Sequence, residues 1–432
     1  MLSSIFSKSI FKGVFQVLVL RVLGVVLFFS LTLFLTNYFL PELVGKYDFV
    51  KSLLLIVGGI CLLGTNQIMI YYSGVLTSHN SLGSIKKIYL KVTLVIFIAC
   101  LFSYLIFSLI PEQFIISFFN KPEAYVLTKK LIFFLFPFCM MLLNFDTIRA
   151  LQKTKVSEFY RNIIRYLPFF ILAIYILKTT KQELLVETFL VSFILVALVT
   201  TIHVFYLFKQ TQKTSTGPNK TFKIKTILKR SMPMAMSAVS FFLMQSIDIV
   251  LLSKYDSFDN VAFYAVAIKI AAVATLVLVS VTVFIAPKVA NFWESKNIEE
   301  LTKLIKTSTK LSVFLGVPGI LILMIFPTFF LQFFGSAYEA AKTALLILLA
   351  GQLIISFCGP TAIYLNMTGR QNYLNKIMIF AVVINIILNV LLIPKYGMIG
   401  AAIATVFSQL LWNLLAIIYS YKNDNIILFF KL

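Results

Sequence analysis

Acidic side chains are scarce in this sequence: 16 Asp and Glu stand against 38 Lys and Arg, and only 12% of residues are charged. Histidine is rarer still, with two residues, His79 and His203, far apart in the chain. The four cysteines (Cys61, Cys100, Cys139 and Cys358) lie separately in apolar stretches, with no Cys-x-x-C pair. That pattern gives neither a disulfide framework nor a metal site. No phosphate-binding glycine loop, nucleophile–base set or acidic pair is present. No metal and no enzymatic activity is expected.

What the chain has in quantity is apolar surface. It is 60% hydrophobic and carries 44 Phe. A soluble protein of this length has no way to bury that much. Apolar stretches of about 18 residues or more recur, each long enough to cross a bilayer as a helix. The expected fold class is an all-α polytopic membrane protein with twelve transmembrane helices. The first apolar stretch, Val14 to Tyr38, is too long for a signal peptide and reads as an uncleaved span.

A net charge of +22 would point to nucleic acid in a soluble chain. In a membrane chain it points to basic cytoplasmic loops and an anionic partner, and no nucleic acid is expected. Most Lys and Arg fall in the N-terminal segment and in the loops after even-numbered spans. The positive-inside rule then places both termini in the cytoplasm.

The least apolar connection is "KQTQKTSTGPNKTFKIKTILKR", Lys209 to Arg230. It divides the chain into an N-terminal six-helix lobe (1–208), a basic cytoplasmic linker (209–229) and a C-terminal six-helix lobe (230–432). A weak echo supports a duplication: one offset places Tyr47 on Tyr264 and Lys153 on Arg370. Both halves begin on the same side, so the repeat is parallel, and such halves commonly enclose a central cavity.

Charges inside spans are costly unless they pair or face a polar path. Lys269 lies inside "VAFYAVAIKIAAVATLVLVSVTVFIAPK" (Val261 to Lys288). It sits roughly 12 Å from the outer surface, and Asp248 on the preceding span roughly 7 Å deep. The two form either a structural ion pair or a cavity pair whose lysine also meets substrate. Arg21 in "VLVLRVLGVV" is either a cavity cation or an arginine reaching back to the inner interface. Arg161 and Arg165 share a face at α-helical spacing, with Glu158 a partner for Arg161. Arg165 is the deeper candidate, and Asp146 with Arg149 reads as a local helix-end pair. Asn66, Gln67, Asn144 and Gln245 are candidate polar contacts, though each also suits an interhelical hydrogen bond. The segment "NFWESKNIEELTKLIKTSTKL" (Asn291 to Leu311) reads as an amphipathic surface helix entering the ninth span.

Several stretches together resemble the polysaccharide-exporter branch of the multidrug/oligosaccharidyl-lipid/polysaccharide (MOP) superfamily. They are "NMTGR" (Asn366 to Arg370), "NIILN" (Asn385 to Asn389), "IPKYGMIGAAIAT" (Ile393 to Thr405) and "SIDIVLLSKYDSFDNVAFYAVAIKI" (Ser246 to Ile270). The sequence is most similar to Wzx-type O-antigen flippases. That resemblance implies a MATE-like fold of two six-helix lobes around a central cationic cavity. It implies alternating access coupled to an H+ or Na+ gradient, and an undecaprenyl-pyrophosphate-linked oligosaccharide as substrate. It further implies a bacterial inner-membrane location, among membrane lipids, beside a polysaccharide polymerase and a chain-length regulator. The alternatives are a MATE-like drug antiporter and, in another class, a membrane polymerase or glycosyltransferase. A drug antiporter would favour acidic residues inside spans; an enzyme would need a large outer loop. The chain departs from the resemblance after the second span, where relatives often carry an arginine. Here "LGTNQIMIYYSG" (Leu63 to Gly74) offers Asn66, Gln67, Tyr71 and Tyr72 instead.

Overall fold

A computed structural model describes residues 8–77, 80–179, 181–214, 222–426 and 428–430, with side chains at 8–15, 213–214, 276–280 and 282–284 left aside. His79 and residues 215–221 of the expected linker lie outside the described residues. Every regular element among the described residues is helical. The chain divides into two compact units, Met1–Val239 and Ser240–Leu432.

The N-terminal unit contains α1 (Lys8–Tyr38), α2 (Pro41–Leu62), α3 (Thr65–Thr77), α4 (Ile85–Leu109), α5 (Glu112–Phe119), α6 (Pro122–Phe133), α7 (Leu135–Ala150), α8 (Thr154–Phe159), α9 (Leu167–Lys178) and α10 (Leu185–Thr214). It also holds the first half of α11 (Ile224–Tyr255), within which the unit boundary falls. Proline opens α2 and α6, where its missing N–H costs nothing. α2 and α3 are bent by 46° about Leu63 and Gly64, both left-handed. α6 and α7 are bent by 47°. α7 forms the core of this unit, nearly every residue from Phe138 to Ile148 being buried. Tyr47 packs beside it, stacked on Phe169 at 5.3 Å and edge-on to Phe189 at 4.7 Å.

The C-terminal unit adds α12 (Phe258–Glu294), α13 (Ile298–Ile325), α14 (Pro327–Gln332), α15 (Lys342–Phe357), α16 (Thr361–Met367) and α17 (Gln371–Asp424). Ser257 caps α12 by accepting the Asn260 N–H at 3.2 Å, and Asn297 caps α13 through the Glu300 N–H. The expected amphipathic segment, Asn291 to Leu311, covers the end of α12, the turn after it and the first part of α13, which runs on into the span that follows. Leu301 and Ile305 are fully buried in a cluster with Tyr364, Leu365 and Leu428, while the lysines stay on the other faces.

Nine described helices are long and apolar enough to cross a membrane, and the two bent pairs raise that to eleven. The 54-residue α17 would be about 80 Å long if straight, more than twice a bilayer core. It breaks at Gly397, whose φ of 52° and ψ of −130° suit glycine alone. Read as two crossings, α17 accounts for the difference between eleven spans and the twelve expected. The protein is an all-α, multi-pass membrane protein.

Candidate functional site: buried charge and polar clusters

The charges expected to matter in the N-terminal unit do gather, but with partners other than those their spacing suggests. The reason is local. After α8 the chain makes a π-helical turn, Tyr160–Ile164, in which the Arg165 N–H bonds the Tyr160 carbonyl at 3.0 Å. The extra residue in that turn breaks α-helical phasing. Arg161 therefore does not take Glu158, three residues back. It reaches across to Asp146 on α7 at 2.5 Å, with its guanidinium 5.7 Å from the Phe145 ring centre. The same carboxylate accepts from Asn66 of α3 at 2.8 Å. Asp146 is thus held across helices by Arg161 and Asn66, not by its neighbour Arg149.

Glu158 is released to a more distant partner. Arg21 of α1 grips it with two parallel bonds, Nε to Oε2 at 2.9 Å and Nη2 to Oε1 at 3.1 Å. Asn162 also donates to Oε2 at 3.1 Å. The approach depends on Gly24, because a Cβ there would fall 2.5 Å from the Asn162 Cβ. The pair is lopsided: the Arg21 side chain is 42% exposed and that of Glu158 only 4%. Arg21 spends two of its five N–H donors on Glu158, so three remain for an incoming anion. Arg165 stays half-buried, 5.8 Å from the Tyr166 ring. His203 bonds Tyr160 at 2.8 Å.

Asn144 makes the interhelical hydrogen bonds that were one of its two expected roles. It is fully buried, with partners at both ends of its amide. Tyr89 donates to its Oδ1 at 2.8 Å, while its Nδ2 donates to Thr200 at 3.0 Å and Thr201 at 2.8 Å. It ties α4, α7 and α10 together. Gln67 and Gln245 are exposed on their helices. Asn385 and Asn389 bond each other within α17, as their spacing suggests.

In the C-terminal unit Asp248 is 2% exposed. Its carboxylate accepts from the Ile249 N–H at 2.9 Å, Tyr264 Oη at 2.9 Å and Thr405 Oγ1 at 3.1 Å. Sequence reading missed both hydroxyls. Buried Lys269 lies five residues beyond Tyr264, so about 7.5 Å further along α12 and about 140° around it. α12 therefore carries Lys269 at a different angular position from Tyr264, whose hydroxyl holds Asp248.

Comparison with known proteins bears on the fold. The MatE family model matches residues 233–391. The lipid II flippase MurJ superposes with a TM-score of 0.71 at 18% identity, covering 94% of this chain and 87% of that one. An inward-facing MATE transporter of the MOP superfamily gives 0.70 at 15% identity, covering 92% and 94%. The chain has the fold of these MATE-type and MurJ transporters, and its residues 233–391 match the MatE family.

Among the curated relatives is the probable low-salt glycan biosynthesis flippase Agl15 of Haloferax volcanii. It is 28% identical over 204 residues, 45% of this chain and 42% of that protein. The chain's matches span about a third to a half of its curated relatives' length. The MatE segment includes Asp248 and Lys269; the Arg21–Glu158 and Arg161–Asp146 pairs lie outside it. A guanidinium also stands beside the second span. Arg230 of α11 donates to Tyr71 of α3, with its guanidinium 4.6 Å from the ring centre.

Proposed function

We propose that this protein flips a polyprenyl-pyrophosphate-linked oligosaccharide, the repeat unit of a surface glycan, from the cytoplasmic to the outer leaflet of a cytoplasmic membrane. Transport proceeds by alternating access, driven by an H+ or Na+ gradient. A pyrophosphate head group loses its hydration in hydrocarbon, so its path needs cationic side chains that face away from lipid. The observation that supports this reading is the half-exposed Arg21, fixed by Glu158 with three donors to spare. Both carboxylates of the cluster, Glu158 and Asp146, are already engaged by arginine. A drug antiporter for cations would need one of them open. The glycan-flippase name of the Agl15 relative points the same way. Lys269 and Arg165 are further candidate path cations, and polymerase and chain-length regulator remain the partners to seek.

The test is genetic. Deleting the gene is expected to remove most surface glycan and to leave the lipid-linked precursor on the cytoplasmic face. Sensitivity to cationic drugs should stay unchanged. Normal glycan together with raised drug sensitivity would overturn the assignment in favour of the antiporter.

A further inference from the structure

Beside α3, the N-terminal unit has a pocket of about 420 Å³ lined by Tyr72, Phe222, Thr226, Lys229 and Arg230. No carboxylate is among those residues. The volume is within the range of small-molecule sites. Its walls are built, not incidental. Lys91 of α4 donates to the Phe222 carbonyl at 2.7 Å, which fixes the backbone at the pocket edge. The Phe222 and Tyr72 rings pack at 4.4 Å. Tyr71 holds Arg230 from below through one hydrogen bond and a ring contact. The Arg230 fork keeps its other donors for a ligand. Tyr72 is 1% exposed, and its hydroxyl has no hydrogen-bond partner among the described residues. A buried hydroxyl left so is costly, and a ligand oxygen entering beside Phe222 would relieve it.

We propose that this pocket binds the diphosphate and first sugar of the substrate before translocation. This rests on the flippase reading above and adds a loading site to it. Lys229 and Arg230 meet the diphosphate, the guanidinium by paired hydrogen bonds and the ammonium as a point charge. Thr226 and the Tyr72–Phe222 rings meet the sugar. The lysine distribution places this end of α11 on the cytoplasmic side, where the substrate is made. The shared chemistry is a diphosphate ester, free or lipid-borne.

The test uses the full-length protein in nanodiscs. Its ligands are inorganic pyrophosphate, a polyprenyl-diphosphate oligosaccharide and, as a third arm, phosphatidylglycerol. Wild-type protein is expected to bind the polyprenyl-diphosphate sugar. A Lys229→Gln/Arg230→Gln variant with unchanged thermal unfolding is expected to bind it about tenfold more weakly, one lost bidentate contact's worth. Arg230→Lys should recover only part of that loss. Weakened pyrophosphate binding in the same variant would assign the recognition to the diphosphate itself. Equal binding by variant and wild type, or a preference for phosphatidylglycerol, would overturn the site. If wild type and variant flip substrate with the same KM, the loading site fails while the flippase reading stands. If wild type flips nothing, it is the flippase reading that fails.

Discussion

Arg21→Ala is expected to destabilise the protein more than Glu158→Ala, although the two changes break the same ion pair. Removing Arg21 leaves a carboxylate that is 4% exposed with Asn162 as its main remaining partner. Stranding a buried charge in this way costs about 3 kcal/mol. Removing Glu158 leaves an arginine whose side chain is 42% exposed and already reaches solvent or head groups, a loss of about 1 kcal/mol. The double variant Arg21→Ala/Glu158→Ala should recover most of the stability, because no charge is stranded. Thermal unfolding of the four proteins in one detergent measures the cycle. Equal losses for the two single variants would show that burial does not govern the pair. The same cycle separates structure from transport. With Arg21 in the substrate path, the double variant is stable and still inactive. With Arg21 only a brace, transport returns along with stability.

Arg370→Ala is the second large effect, and it falls in the C-terminal unit. Arg370 follows α16 in the "NMTGR" turn and reaches the end of α17. It bonds Asp424 by Nη2 and the Tyr419 hydroxyl by Nη1 at 3.1 Å, and it lies 5.4 Å from the Trp293 ring centre. Tyr364 donates to the same Asp424 carboxylate at 2.7 Å. The Asp424 side chain is 3% exposed, so losing Arg370 strands it at a cost of roughly 3 kcal/mol. Arg370→Lys is expected to recover little, since one ammonium replaces neither the two-armed grip on Asp424 and Tyr419 nor the guanidinium's contact with the indole. Phe430, beyond Asp424, packs back onto this unit, its N–H bonding the Phe357 carbonyl at 2.8 Å. Limited proteolysis should therefore release the C-terminus of Arg370→Ala sooner than that of wild type. An unchanged cleavage rate and unfolding midpoint would contradict the clasp.

The membrane fold was legible because it follows from apolar length alone, a property each segment carries by itself. Even the broken α17 is visible in "IPKYG", where proline and a left-handed glycine meet. The charged residues of the site were legible for the opposite reason: Arg21, Glu158 and Asp146 are rare within apolar segments. Their pairing was not. Spacing along an ideal helix joins Arg161 to Glu158 and Asp146 to Arg149. A π-helical turn after Phe159 and the close approach at Gly24 send the same side chains to other helices. Tyr264 and Thr405 escaped notice because hydroxyls in an apolar sequence carry no signal until a carboxylate lies opposite. Arg230 was visible only as one more basic residue at the end of a linker. Its contact with Tyr71 spans 159 positions, and no local pattern encodes it.

The most direct test of the flippase account is transport by the purified protein. Reconstituted in liposomes under an imposed H+ or Na+ gradient, it is expected to move a polyprenyl-pyrophosphate oligosaccharide from one leaflet to the other. The Arg21→Ala/Glu158→Ala variant should fail to do so at equal incorporation. Flipping no faster than in protein-free liposomes, with gradient-driven uptake of a cationic dye instead, would contradict it.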